Sequence, residues 1–233
     1  MQSNFKLESM KKSFLLLFLV ANNITSFAQE ISFKKLALSD TAAIANQMQQ
    51  IAKLCDTQNL SDLDLFRFQL ISGKNKEALK TIKKKINETP KGGRQYIDVY
   101  LLYAEAKLSN NFNATFKKSY RKYLKNSDDI EVINIDKALI IRDPTDYYIS
   151  NFDTTYTKIL SEKISLTTAK DLIKKYFLKT IFSSTRVIYF KEIRQDHKRR
   201  YAINDSIVIP MKDGAEVSIV IVKRKGSSTT KKS

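Results

Sequence analysis

The segment SDLDLFRFQLISGKNKEALKTIKKKINETPKGG, residues 61–93, carries two apolar runs at helical spacing on either side of a glycine turn. Ser61 and Asp62 offer an N-cap, and Leu63, Phe66 and Leu70 then recur at helical spacing, broadened by Leu65 and Phe68. Gly73-Lys74-Asn75 stops that helix and turns the chain. Leu79, Ile82 and Ile86 line a second helix, with Lys80, Lys83, Lys84 and Lys85 largely on its other faces. Pro90, Gly92 and Gly93 end it. The segment reads as two antiparallel helices joined by a tight turn.

The same reading extends outward. Tyr96, Tyr100 and Tyr103 share a face with Leu101, Ala104 and Leu108 alongside, Asn110-Asn111 turns the chain, and Phe112, Phe116, Tyr120, Tyr123 and Leu124 line the next helix. Lys117, Lys118, Arg121, Lys122 and Lys125 cover its back. The turns at Gly73 and Asn111 lie about 38 residues apart, near the period of about 34 of tetratricopeptide repeats. Small residues for close helix approach are mostly absent, so the pattern fits a tetratricopeptide-like pair or a plain helical bundle. The interleaved rings and lysines suggest base stacking, but aromatics spaced i, i+4, i+7 belong to a buried stripe with lysine on the solvent side.

On the N-terminal side, Asp40 or Thr41 caps a helix to about residue 56, with Ile44, Met48, Ile51 and Cys55 on one stripe. On the C-terminal side, 130–141 reads as a helix broken before Pro144. Residues 147–160 are undecided, because Thr154, Thr155 and Thr157 weaken a helical reading. Ser165 or Thr167 starts a helix through Leu172, Ile173, Tyr176 and Phe177 to about Phe182. A further helix, 186–200, ends in the basic cluster Arg194, His197, Lys198, Arg199 and Arg200.

Composition narrows the classes. The chain has 233 residues with only 5 glycines and 3 prolines. An all-β sandwich or barrel needs a turn every 8–12 residues or so and cannot be supplied. One cysteine excludes an internal disulfide framework or a cysteine-based zinc site. The net charge of +17 comes from 41 basic residues, predominantly lysine, against 24 acidic ones. Lysine is a hydrated point charge, whereas arginine recognises bases and phosphates bidentately. A lysine excess spread over the chain reads first as solvated helix faces, and no nucleic-acid partner is expected.

The first residues read as an export signal. Lys11 and Lys12 precede an unbroken apolar run, 14–21, and Ser26-Phe27-Ala28 places small residues before Gln29. The run is too short for a membrane span, which needs about 20 residues. Cleavage between Ala28 and Gln29 is therefore expected, with a periplasmic or secreted product and no stable membrane span. Met10 is a better start for this pattern than Met1. Cys55 is then a lone cysteine in an oxidising space, read as a buried, inert thiol.

His197 is the only histidine, and its position among cations with Glu192 and Asp196 reads as surface. No serine stands in a Gly-x-Ser-x-Gly elbow, and no second histidine exists for a metal. No catalytic, metal-ligating or cofactor-binding residue is assigned, and no cofactor is expected.

After Arg200 the character changes. Residues 203–211 are β-rich, Lys212-Asp213-Gly214 is a hairpin turn, and VSIVIV, 217–222, is apolar on both faces. Such strands sit inside a sheet covered on both sides, yet no other strand is legible. A lone two-stranded hairpin is marginal in water, so this one is expected to be poorly anchored.

The residues Arg199-Arg200-Tyr201 and Asp205-Ser206-Ile207-Val208-Ile209-Pro210-Met211-Lys212-Asp213-Gly214-Ala215-Glu216-Val217 resemble the opening of X-Pro dipeptidyl-peptidase and cocaine-esterase-like (CocE/NonD) α/β-hydrolases. These begin with a strand, a Pro-Met-basic-Asp-Gly turn and an apolar strand. The export signal, Ile31-Ser32-Phe33-Lys34-Lys35 and some 150 helical residues before the hairpin resemble the secreted members from Bacteroidetes-type bacteria. The resemblance implies peptide or ester substrates and a Ser–Asp–His triad downstream of the hairpin, none of which this chain carries.

The expectation is a signal peptide (1–28), a mostly α-helical domain (29–200), a β-hairpin (201–223) opening a missing or separately encoded hydrolase domain, and a basic tail (224–233). The function expected is that of the N-terminal helical portion of an exported serine hydrolase, inactive alone. The alternative is a self-contained helical-repeat-like module that holds a peptide or protein partner.

Overall fold

The computed structural model describes residues 30–226 apart from positions 56, 58 and 140–143. The expected leader, its Ala28/Gln29 junction and residues 227–233 of the expected tail lie outside the described residues, as does Ile141. The elements are β1 (Glu30–Ser32), α1 (Thr41–Leu54), α2 (Asp62–Ile71), α3 (Asn75–Glu88), a 3-10 turn (Lys91–Gly93), α4 (Gln95–Lys107), α5 (Phe112–Asn126), α6 (Asp129–Leu139), α7 (Pro144–Lys158), β2 (Lys163–Ser165), α8 (Leu166–Arg200), β3 (Tyr201–Pro210) and β4 (Glu216–Arg224). The protein is mostly helical with a C-terminal β-hairpin, as the sequence predicts.

The helix starts follow capping chemistry. The side chains of Asp40, Ser61, Asn111 and Ser165 accept from the backbone N–H groups of Ala43, Asp64, Ala114 and Thr168, which would otherwise be unpaired at a helix start. The α2–α3 turn closes as a Schellman motif: Lys74 N–H donates to Gln69 O (2.8 Å) and Gly73 N–H to Leu70 O (3.2 Å). Gly73 sits at φ +86°, where a side chain would be strained.

Helices α2 to α5 pack in sequence as two hairpins, and α8 lies across them. At 35 residues α8 spans roughly 50 Å. Its first turns bury Ala169, Leu172 and Ile173 in one core, beside Ile31, Phe33, Ile44, Met48, Ile51, Cys55, Phe152 and Tyr156. Further along, Phe177, Ile181, Tyr189 and Ile193 enter a second core with Phe66, Ile82, Tyr100, Tyr103, Phe116, Tyr120 and Leu124. Phe177 meets the rings of Phe66, Tyr100 and Tyr103 at 5.0–6.4 Å. The aromatic stripes are therefore core. Ala78, Ala104 and Ala106 are fully buried and supply the small residues of the helix contacts.

Three readings need correction. The expected break between residues 182 and 186 does not exist. Ser184 and Thr185 donate their hydroxyls to Thr180 O and Ile181 O, each at 2.7 Å, so they bond back within the helix instead of ending it. Thr155 and Thr157 do the same toward Asn151 O and Asp153 O, both at 2.8 Å. That places the undecided segment in helix α7 as far as Lys158, anchored by the fully buried Phe152 and Tyr156. A further pair of strands is also present: β1 pairs antiparallel with β2, Ile31 opposite Ile164. Both isoleucines are buried, and three-residue strands are too short to show alternation.

Candidate functional site

The site is the hairpin and its root. β3 and β4 pair antiparallel from Tyr201↔Arg224 to Pro210↔Glu216, with an irregularity between Asn204 and Ile207. Gly214, at φ +84°, closes the turn by donating to Met211 O at 3.0 Å. Directly opposed residues share a face. One face carries Ile207, Ile209, Val217, Ile219 and Ile221; the other carries Ile203, Val208, Val220 and Val222. The irregularity moves Ile207 to the face opposite Ile203, so both faces remain apolar.

Neither face is covered among the described residues. Val220 is 58% exposed and Val222 57%, while on the other face Val217 and Ile221 are each 44% exposed. The sheet holds only these two strands, so the outer edge of each is unpaired among the described residues. Side chains of this kind gain roughly 1.5–3 kcal/mol each on full burial.

The root, in contrast, is fixed by a buried charge cluster. Arg200, the last residue of α8, is 8% exposed. Its Nε donates to Asp196 Oδ2 (2.6 Å) and its Nη1 to Asp129 Oδ1 (2.6 Å). Its Nη2 donates to Leu124 O (2.6 Å) and Ser127 O (2.7 Å), carbonyls at the C-terminal end of α5 that a helix leaves without partners. Asp129 is held at the start of α6, where Asp128 and Glu131 form a reciprocal capping box. Its second oxygen lies 3.3 Å from Arg224 Nε at the end of β4. Lys225 N–H donates to Arg200 O at 2.8 Å, and Lys225 Nζ to Lys198 O at 2.8 Å. The Arg200 hydrogen bond, with the charge of Arg224, holds the Asp129 carboxyl below the usual aspartate range despite partial desolvation. The hairpin is thus anchored at its base, contrary to expectation, while its blade is free, and β4 runs one residue past the expected boundary at 223.

A second ionic cluster braces α8 against α5. Glu192, with a side chain 1% exposed, accepts from Arg121 Nε (2.7 Å) and Nη2 (3.0 Å), and Lys117 Nζ lies 4.0 Å away. The acids beside His197 are therefore structural partners of arginines rather than companions of the imidazole. His197 itself is half-buried, with its ring 6.4 Å from that of Tyr201. Cys55 is buried in the other core, as expected, and burial pushes its thiol pKa up to about 11. Among the described residues no group of three or more His, Cys, Asp or Glu could hold a metal, and no helix is long and apolar enough to cross a membrane.

Sequence reasoning missed the Arg200 hub. Two of its signals were legible: Asp196 and Arg200 at i, i+4, and Asp128 with Glu131 at capping-box spacing. Its remaining partners lie more than 70 residues away in the chain.

No family model, no curated protein and no solved structure matches this chain.

Proposed function

We propose that this chain is the helical N-terminal portion of an exported serine hydrolase of the X-Pro dipeptidyl-peptidase and cocaine-esterase-like kind, and that its hairpin opens the sheet of the hydrolase domain. The observation that carries this is the hairpin's exposure: strands apolar on both faces, unpaired at both edges among the described residues, yet rooted in a buried ionic cluster. A free hairpin of that composition is marginal, whereas one continued by further strands and covered by helices on both faces has its apolar residues buried. The helical body orients the first strands through Arg200 and Asp129. The nucleophile, its base and the orienting acid belong to the hydrolase domain, with peptides or esters as substrates.

The test is to sequence the DNA past codon 233 and to co-express any following frame that encodes a Gly-x-Ser-x-Gly elbow. The pair should co-purify and hydrolyse Gly-Pro-p-nitroanilide or p-nitrophenyl acetate, and the amides of 201–224 should become protected from hydrogen exchange. Hydrolysis by the present chain alone, lost in His197→Ala, would overturn the reading, as would the absence of any such frame.

One observation favours a self-contained peptide-binding module. A cleft of about 280 Å³ between α1, the α2–α3 turn, α4 and α8 is lined by Asn46, Gln49, Asn75, Tyr103, Lys107 and Tyr176. Carboxamides beside aromatic rings suit a peptide backbone, and Lys107 suits a carboxylate. Titration with a short random peptide library, followed by Lys107→Glu, separates this reading from the first.

A further inference from the structure

The outer face of α5 and the adjoining turns of α8 form a cationic surface whose carboxylates have all been drawn inward. Helix α5 contains five cations, Lys117, Lys118, Arg121, Lys122 and Lys125, and no acid. The nearest carboxylates on α8, Glu192 and Asp196, are only 2% and 5% exposed. They are occupied by Lys117 and Arg121, and by Arg199 and Arg200. Lys118, Lys122 and Lys125 are exposed and have no carboxylate within 4.0 Å among the described residues. Two shallow depressions, of about 240 and 290 Å³, run side by side along this face and share Arg121 and Lys125.

We infer that this face docks on a bilayer containing anionic phospholipid. The rings of α5 point away from it: Phe116 and Tyr120 are buried, and Tyr123 donates its hydroxyl to Asp98 at 2.9 Å. The face therefore offers no platform for unpaired bases. Four of the five cations on α5 are lysines, point charges without the bidentate fork that reads bases. Lysines in a row along one helix lay their stems on the protein and set their ammonium groups in a plane of headgroup phosphates. The surface is independent of the hydrolase reading, because it shares no residue with the exposed blade of the hairpin.

The experiment is co-sedimentation of the full chain with vesicles of phosphatidylcholine alone and with one-third phosphatidylglycerol, so that any contribution of residues 14–21 is common to every variant. Lys118→Glu/Lys122→Glu/Lys125→Glu is compared with Lys53→Glu/Lys76→Glu/Lys80→Glu, an equal charge change at exposed positions on α1 and α3. A lysine near an anionic surface is worth about fivefold in binding, so the α5 variant should lose roughly 100-fold in affinity for the anionic vesicles. The control should lose severalfold at most. A Lys→Gln triple at the same α5 positions guards against a folding defect, and circular dichroism checks all three. Equal losses in both triples, or no preference of the parent chain for anionic over neutral vesicles, would overturn the inference. Tighter binding to duplex DNA than to vesicles at equal phosphate would also overturn it, in favour of a nucleic-acid surface.

Discussion

Helix α5 and strand β4 are both rich in large apolar or aromatic side chains, and the structure treats them in opposite ways. In α5, Phe116 and Tyr120 are 1% and 0% exposed, because the 3.6-residue period gathers them on one stripe that α8 covers. In β4, Val220 and Val222 are more than half exposed, because a period of two sends apolar residues to both faces and none of the described residues lies over either. An apolar stripe with a polar back can be satisfied within its own chain. A strand apolar on both sides requires layers on each side. The helical body is complete in that sense, and the blade of the hairpin is not.

The junction between helical body and hairpin is where one substitution should cost most. Arg200→Met leaves Asp196 and Asp129 without their shared cation and the carbonyls of Leu124 and Ser127 without a donor. Removing one partner of a buried pair costs about 3–5 kcal/mol, and thermal melting followed by far-ultraviolet circular dichroism should show it. A loss below about 1 kcal/mol would mean that the hub does not hold the body together.

Within the body, two buried tyrosines differ in their hydroxyls. Tyr189 donates to Asp136 Oδ1 at 2.7 Å, whereas the buried hydroxyl of Tyr120 has no partner among the described residues. Tyr189→Phe should cost about 1 kcal/mol or more, while Tyr120→Phe should be neutral or stabilising. Urea melts of the two variants give the order directly.

Substitutions on the blade should separate the regions. Val220→Lys/Val222→Lys should leave the helical melt within about 0.5 kcal/mol, as for surface positions, and should reduce self-association in sedimentation velocity. Deleting 202–233 also removes Arg224 and Lys225 from the root but should leave the helices folded and reduce self-association. A deletion that unfolds the helices would show the hairpin to be part of the body.

The smallest expected effect is of pH. The Asp129 carboxyl lies below its unfolded value, so its contribution is fully present above about pH 4 and is lost as pH falls through the lowered folded-state value. Backbone amides at 201–204 and 222–224 should exchange several times faster, relative to the turn at 212–214, below that point than at pH 5. Asp129→Asn should abolish the change.

Much of the body was legible because its determinants are local. Asp40, Ser61 and Asn111 mark helix starts, Gly73 marks a turn, and aromatic spacing marks the buried faces. The continuity of α8 was not legible, since Ser184 and Thr185 end helices as readily as they bond back into them. The β1–β2 pair was too short to carry a period. In the site, the two apolar faces of the hairpin and its Asp-Gly turn were visible in the sequence. The anchor was not: Arg200 looked like one cation among several, and its burial depends on partners brought from α5 and α6 by the fold.

One carboxylate, Asp129, meets both ends of the hairpin, Arg200 where the chain leaves α8 and Arg224 where it returns. Mechanically the hairpin is a cantilever about 30 Å long, clamped at one point. Tension applied at its tip passes through that clamp, where Arg200 ends α8, before it reaches the rest of the helical body. A pulling experiment between the tip and residue 41 should therefore record a first, low-force release of the arm at its base, followed by rupture of the intact helical body at higher force.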